Sequence, residues 1–154
     1  MDEKVFNLIS KILVATDGSE CANKAIDFAL DLAEKHSANV LILNVLKLPV
    51  YETKDGAFAV SPGMAGFFKD LRRGHERMLS EAASKAASAK PGVVVSTALL
   101  EGNPADQIVA TASEGGFDVV VLGHGGEGRL KEFFLGSTSE RVAHLAKCAV
   151  LIVK

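Results

Sequence analysis

The chain has 154 residues, 48% of them hydrophobic and only 6% aromatic, with a formal net charge of −2. That length suits one domain built on a sizeable aliphatic core. The near-neutral charge, with basic residues interspersed among acidic ones, supplies no field for attracting nucleic acid or an anionic membrane.

The charged start, Met1-Asp2-Glu3-Lys4, lacks the basic and apolar regions of an export signal, and no apolar run approaches a membrane span. Cys21 and Cys148 stand far apart and form no CxxC pair, a pattern suited to a reducing cytoplasm, where this chain is expected to work. Cys21 opens a predicted helix, whose dipole can lower a thiol pKa, but no redox partner stands near it and a packed, inert cysteine fits better.

In chain order, the first apolar run covers residues 11–16 and ends in the turn Thr16-Asp17-Gly18-Ser19. Residues 20–35 follow as a helix, with Ala25, Phe28, Ala29, Leu32 and Ala33 on one face at 3-4 spacing. A second strand is predicted over 39–45. The stretch 47–65, rich in Gly, Pro and small residues, breaks the rhythm and is expected to be a flexible loop, serving as a lid, a partner surface or a mobile insertion. An alanine-rich helix over 66–90 is ended by Pro91-Gly92. A third strand over 93–100 leads to a helix over 104–114, with Asn103 as cap and Pro104 in its first turn. A strand over 118–122, a helix over 137–146 and a strand over 149–153 complete the chain.

The strands read as continuous β-branched and leucine runs, the signature of strands buried on both faces in a parallel sheet. Their alternation with helices predicts a single-domain, open, doubly wound α/β sheet with helices on both faces, covering residues 1–154. No internal repeat, low-complexity tail or second domain is evident.

The most informative segment is Gly123-His124-Gly125-Gly126-Glu127-Gly128, directly after the fourth strand. Open α/β sheets bind ligands at such strand ends, and glycines let backbone N–H groups close on phosphate oxygens. Gly123, Gly125 and Gly128 match GxGxxG, but a dinucleotide fingerprint follows the first strand and needs an acid about 20 residues on, which is lacking here. Gly123-x4-Gly128 approaches a P-loop, but Arg129-Leu130 stand where the phosphate lysine and magnesium hydroxyl belong.

A two-part cradle remains. Gly123 and Gly126 supply one part; Gly136-Ser137-Thr138-Ser139, opening the last helix, supply dipole, unpaired N–H donors and three hydroxyls. Taken singly, Ser137-x-x-Glu140 reads as a capping box and the glycines as a turn. Taken together at a strand end, they favour phosphate binding.

The spacing Gly123-x2-Gly126-x9-Gly136-Ser137 resembles the ATP signature of the ATP-binding branch of the universal stress proteins. The run from Ile12 to Ser19, Gly102-x-Pro104, and the run from Ser137 to Val153 are similar to that family too, so the resemblance covers the chain from Lys11 onward, with 47–65 the stretch where the family varies in length. It implies a Rossmann-like sheet of order 3-2-1-4-5 and a homodimer joined through the C-terminal strand. It also implies that Ala15, Thr16, Asp17, Val45, Leu122, Gly123, His124, Gly125, Gly126, Gly136, Ser137, Thr138 and Ser139 bind ATP, or AMP or ADP. Val45 and Leu122 flank adenine in this reading, and His124 meets phosphate through its backbone. Asp17 stands near the ribose or a phosphate-bound Mg2+, although an Asx-turn accounts for it equally well.

His36, His75, His124 and His144 have no metal-ligand spacing, and no catalytic triad or paired carboxylates emerge. The expected function is a nucleotide-dependent regulator of an unknown partner protein, with slow or no ATP hydrolysis. The alternative is an adenine-nucleotide-dependent ATPase or a nucleotidyl or phosphoryl transferase on the same fold, with Arg129 and Lys131 as candidate substrate-binding cations. A phosphorylated receiver is disfavoured, because the third strand ends without an acceptor aspartate.

Overall fold

The computed structural model describes residues 8–48, 51–52, 54–56, 58–59, 62–125 and 135–154. In chain order these form β1 (Lys11–Ala15), α1 (Glu20–His36), β2 (Asn39–Leu46), β3 (Tyr51–Glu52), β4 (Phe58–Ala59), a 3-10 turn at Pro62–Met64, α2 (Ala65–Ala89), β5 (Val95–Glu101), α3 (Pro104–Glu114), β6 (Val119–Gly123), α4 (Ser137–Leu145) and β7 (Ala149–Val153).

The five long strands make one sheet, β5-β2-β1-β6-β7, with every neighbouring pair parallel. Counted in chain order, this is 3-2-1-4-5. Such a sheet needs helices on both faces, and the apolar runs explain why. Ile12, Leu13 and Val14 are wholly buried, and alternate residues point to opposite sides. Ile12, Val14, Val119 and Val121 pack with Ala25, Ala29, Leu30 and Leu79 of α1 and α2. Leu13, Leu43, Val120 and Leu122 pack with Ile108 of α3 and Val142 of α4.

The Oγ of Ser19 caps α1, accepting from the Ala22 N–H at 3.2 Å, and the helix stops at Ser37 in the left-handed conformation. Its buried face is Ala22, Ala25, Ile26, Ala29, Leu30 and Ala33. This corrects the expected face: Phe28 is 45% exposed. At roughly 100° per residue, the buried arc centres between Ala25 and Ile26, and Phe28 falls on its far side. Alanines allow α1 to lie close against the strands, where a phenylalanine ring would hold it off.

Within the segment expected to be a loop, β3 and β4 pair antiparallel, Tyr51 with Ala59 and Glu52 with Phe58. The 3-10 turn then leads into α2, a 25-residue helix.

At the opposite end of the sheet from the strand C-termini, Asp118 fastens β1 to β6. Its Oδ2 accepts from the Ser10 N–H, the Lys11 N–H and the Ser10 hydroxyl at 2.8, 2.9 and 3.0 Å. The backbone N–H groups of Ser10 and Lys11 hold the carboxyl below its ordinary value of 3.8. A depressed carboxyl stabilises the fold above its unfolded pKa, and that contribution disappears as pH falls through the folded value. Asp118→Asn is therefore expected to be less stable than wild type near neutrality. The gap in urea midpoint should close as pH drops below 3.8; a gap constant with pH would refute the assignment.

Candidate functional site

In a parallel sheet of this order, the strands on either side of β1 depart in opposite directions, leaving a crevice at the carboxyl ends of β1 and β6. A cleft of about 340 Å3 lies there, within the usual size of small-molecule sites. Its walls come from the ends of β1, β2 and β6, the first turns of α1, α3 and α4, and the turn after β6.

Of the residues expected to bind ligand, the cleft brings together Ala15, Thr16, Asp17, Val45, Leu122, Gly123, Gly125, Gly136, Ser137, Thr138 and Ser139. Two expected residues stand apart. Gly126 lies outside the described residues, as do Arg129 and Lys131. His124 is not a lining residue, and its backbone is already engaged: its N–H donates to the Val153 carbonyl at 2.7 Å, and its carbonyl accepts from the Gly136 N–H at 3.1 Å. The backbone contact expected of His124 toward phosphate is thus replaced by a structural one, which ties β7 and the start of α4 to the turn.

The cleft also includes Ser19, Ala22, Leu43, Asn44, Pro104 and Ile108, which motif reading did not find. Asn44 had a signal, as an amide inside an otherwise apolar strand. Pro104 stands in the Gly102-x-Pro104 stretch, which by itself points to no site, and Ile108 had no signal, because only the packing of α3 over the sheet brings them to the strand ends.

The start of α4 departs from a capping box. Gly136 occupies the N-cap and no side chain caps the helix, so Ser137 is the first helical residue. Serines and asparagines cap differently elsewhere: Ser19 takes the Ala22 N–H of α1 and Asn103 the Asp106 N–H of α3. The first backbone bond in α4 runs from the Glu140 N–H to the Gly136 carbonyl. The N–H groups of Ser137, Thr138 and Ser139 precede that bond, and all three residues line the cleft. Ser139 is buried, its hydroxyl donating to the Gly123 carbonyl at 2.9 Å, which locks α4 to the end of β6.

Two glycines are required by close approach. A Cβ on Gly123 would lie 2.8 to 2.9 Å from backbone atoms of Cys21 and Ala22. Gly125, at φ +74°, would place a Cβ 3.3 Å from the Gly136 Cα.

Asp17 is the single charged side chain among the described lining residues. Its Oδ1 accepts from the Ser19 N–H at 2.9 Å, the Asx-turn anticipated for it. With one oxygen engaged in the turn, the carboxylate keeps the other for a cation or a hydroxyl. Among the described residues, no group of three or more His, Cys, Asp or Glu side chains could hold a metal by itself. No helix there is long and apolar enough to cross a membrane.

A doubly wound α/β protein is thus defined, with an apolar slot running into a cradle of backbone donors at its switch point. The chain belongs to the universal stress protein family, whose model matches residues 9–154. Universal stress protein YxiE of Bacillus subtilis is 35% identical over 150 residues, covering 96% of this chain and all of that protein. Among solved structures, a universal stress protein in complex with cAMP superposes with a TM-score of 0.67 at 27% identity, covering 94% of this chain and 96% of that one. The universal stress protein of Archaeoglobus fulgidus in complex with dAMP gives 0.65 at 26% identity, covering 96% and 99%.

Proposed function

We propose that this protein binds an adenine nucleotide, ATP above all, in the switch-point cleft, and acts as a nucleotide-dependent regulator in the stress response. The observation that carries the reading is the uncapped start of α4. Three amide N–H groups and the hydroxyls of Ser137 and Thr138 meet at one end of a cleft that offers no lysine or arginine among its described lining residues. Helix dipole and amide donors are the usual means of holding phosphate without cationic side chains. The apolar end, with Leu43, Val45, Ile108 and Leu122, suits a flat purine.

The complexes of relatives with cAMP and dAMP support adenine recognition. The Gly123-x2-Gly126-x9-Gly136-Ser137 spacing supports a longer phosphate chain. Asp17 would hold Mg2+ together with the phosphates, and the ion would neutralise phosphate charge beside the carboxylate. Slow or absent hydrolysis is part of this reading: among the described lining residues Asp17 is the one carboxylate, its Oδ1 is held in the turn, and its other oxygen would face Mg2+ rather than an attacking water. The transferase alternative draws no support from the described lining residues, which bring no cations to converge on a reacting phosphate.

Assembly as a homodimer through β7 is part of this reading. The strand lies at the sheet edge with Val150 to Val153 only half-buried, and an open edge can pair with a second copy.

The test is nucleotide extraction from purified protein, followed by titration with ATP, AMP and cAMP, each with and without Mg2+. Stoichiometric ATP binding, tightened by Mg2+, is the expected result. Protein that carries and takes up no adenine nucleotide would overturn the reading.

A further inference from the structure

A polar chain runs from the wall of the cleft, which Thr16 and Asn44 line, to His75 on α2. Asn44, at the end of β2, is 2% exposed. Its Nδ2 donates to the Thr16 carbonyl at 2.6 Å, and its Oδ1 lies 2.6 Å from Nδ1 of His75 on α2. The Thr16 carbonyl cannot donate, so the amide must face it with its nitrogen. That orientation leaves Oδ1 as acceptor and requires the proton on Nδ1 of His75. Thr16, itself 6% exposed, donates its N–H to the Leu43 carbonyl at 2.9 Å and offers Oγ1 to the Gly18 N–H at 3.1 Å. The next residue is Asp17. The same helix touches the turn a second time, because a Cβ on Gly18, at φ +83°, would lie 2.5 Å from Sδ of Met78.

Neither Asn44 nor His75 is needed to close the sheet. A leucine at 44 would extend the apolar run of β2, and α2 makes its buried contacts through Leu79 and Ala86. A buried amide without partners is costly, and partly satisfied networks cost more than apolar cores. Here every member is satisfied, and the chain ends on the backbone that carries Asp17.

We infer that Asn44 and His75 form a positioning relay. It holds the Thr16 carbonyl, and through it the Thr16–Gly18 turn, in the shape that receives ligand at Asp17, and so makes α2 part of the binding machinery without touching the ligand. His75 is a positioning residue, since it does not line the cleft. The inference rests on the nucleotide reading for the identity of the ligand, but not for the hold on the turn.

The experiment compares wild type with His75→Leu, which removes the donor, and His75→Gln, whose amide can restore it. ATP affinity is measured by titration well below each melting temperature, and hydrogen exchange at the Thr16 and Gly18 amides is measured without nucleotide. For His75→Leu, ATP affinity should fall about tenfold and exchange at both amides should quicken by a similar factor, the scale of one unmet buried acceptor. His75→Gln should recover most of both. A lower melting temperature with unchanged affinity and unchanged exchange would overturn the relay and leave the network purely structural. Equal losses in both variants would also overturn it. Wild-type protein that takes no ATP would overturn the nucleotide reading alone, with exchange at Thr16 and Gly18 still deciding the relay.

Discussion

Replacing Gly123 by alanine is expected to destabilise the protein by about 2–3 kcal/mol, the cost of forcing a methyl group into an occupied space. The methyl would meet the Cys21 carbonyl carbon, the Ala22 nitrogen and the Cys21 oxygen at 2.8, 2.9 and 2.9 Å. These are backbone atoms in the first turn of a capped helix, so no side chain can swing aside. Either the end of β6 retreats from α1 or the start of α1 lifts from the sheet. Both movements widen the cleft between Ala22 and Gly123, and nucleotide affinity should fall with stability. For a domain of this size the melting temperature should drop roughly 5–10 °C. Thermal unfolding followed by circular dichroism checks this, and an unchanged melting temperature would show that β6 and α1 do not meet at this distance.

Gly136→Val should act on the cleft more than on the fold. Gly136 has φ −61° and ψ 149°, a conformation open to any residue, so valine imposes no backbone strain. As an N-cap it is poorer than glycine, at a cost of about 1 kcal/mol. Gly136 is the N-cap and lines the cleft beside Ser137, Thr138 and Ser139, so an isopropyl group there would crowd the amide donors that the nucleotide reading gives to phosphate. Hydrogen bonds to a charged group contribute about 1.5–3 kcal/mol each, so losing one or two should weaken ATP binding by roughly 100-fold. Isothermal titration beside a melting curve separates the effects. Affinity within a factor of about three of wild type would mean that phosphate does not sit at the start of α4.

Sequence and structure differ in instructive places. All five long strands and four helices lie within a few residues of where hydrophobic runs, Pro91-Gly92, Asn103 and Pro104 put them. That legibility reflects local causes: caps, breakers and continuous apolar strands act over a few residues. The rotated face of α1 was less legible, because phenylalanine and isoleucine are equally apolar and only the sheet decides which one is buried. Val45 and Leu122 line the cleft, but so do Pro104 and Ile108, which arrive from a helix remote in sequence from β1. His124 looked like part of the phosphate loop because of its place between glycines. Its backbone was committed by β7 and α4, neither of which is adjacent in sequence.

The sequence by itself determined the aliphatic core, the alternation of strands and helices, and the glycine and hydroxyl spacing around a strand end. Those properties are written in residue types and short periods. Only the tertiary structure decided that Gly136, not Ser137, caps α4, which leaves its first amides open to the cleft. It also decided that Gly123 abuts the backbone of α1, and that Asn44 joins His75 to the turn at Asp17. Each of these depends on atoms brought within hydrogen-bond or van der Waals range from elements far apart in the chain. Contacts of that kind exist only once the sheet has closed and both faces are covered.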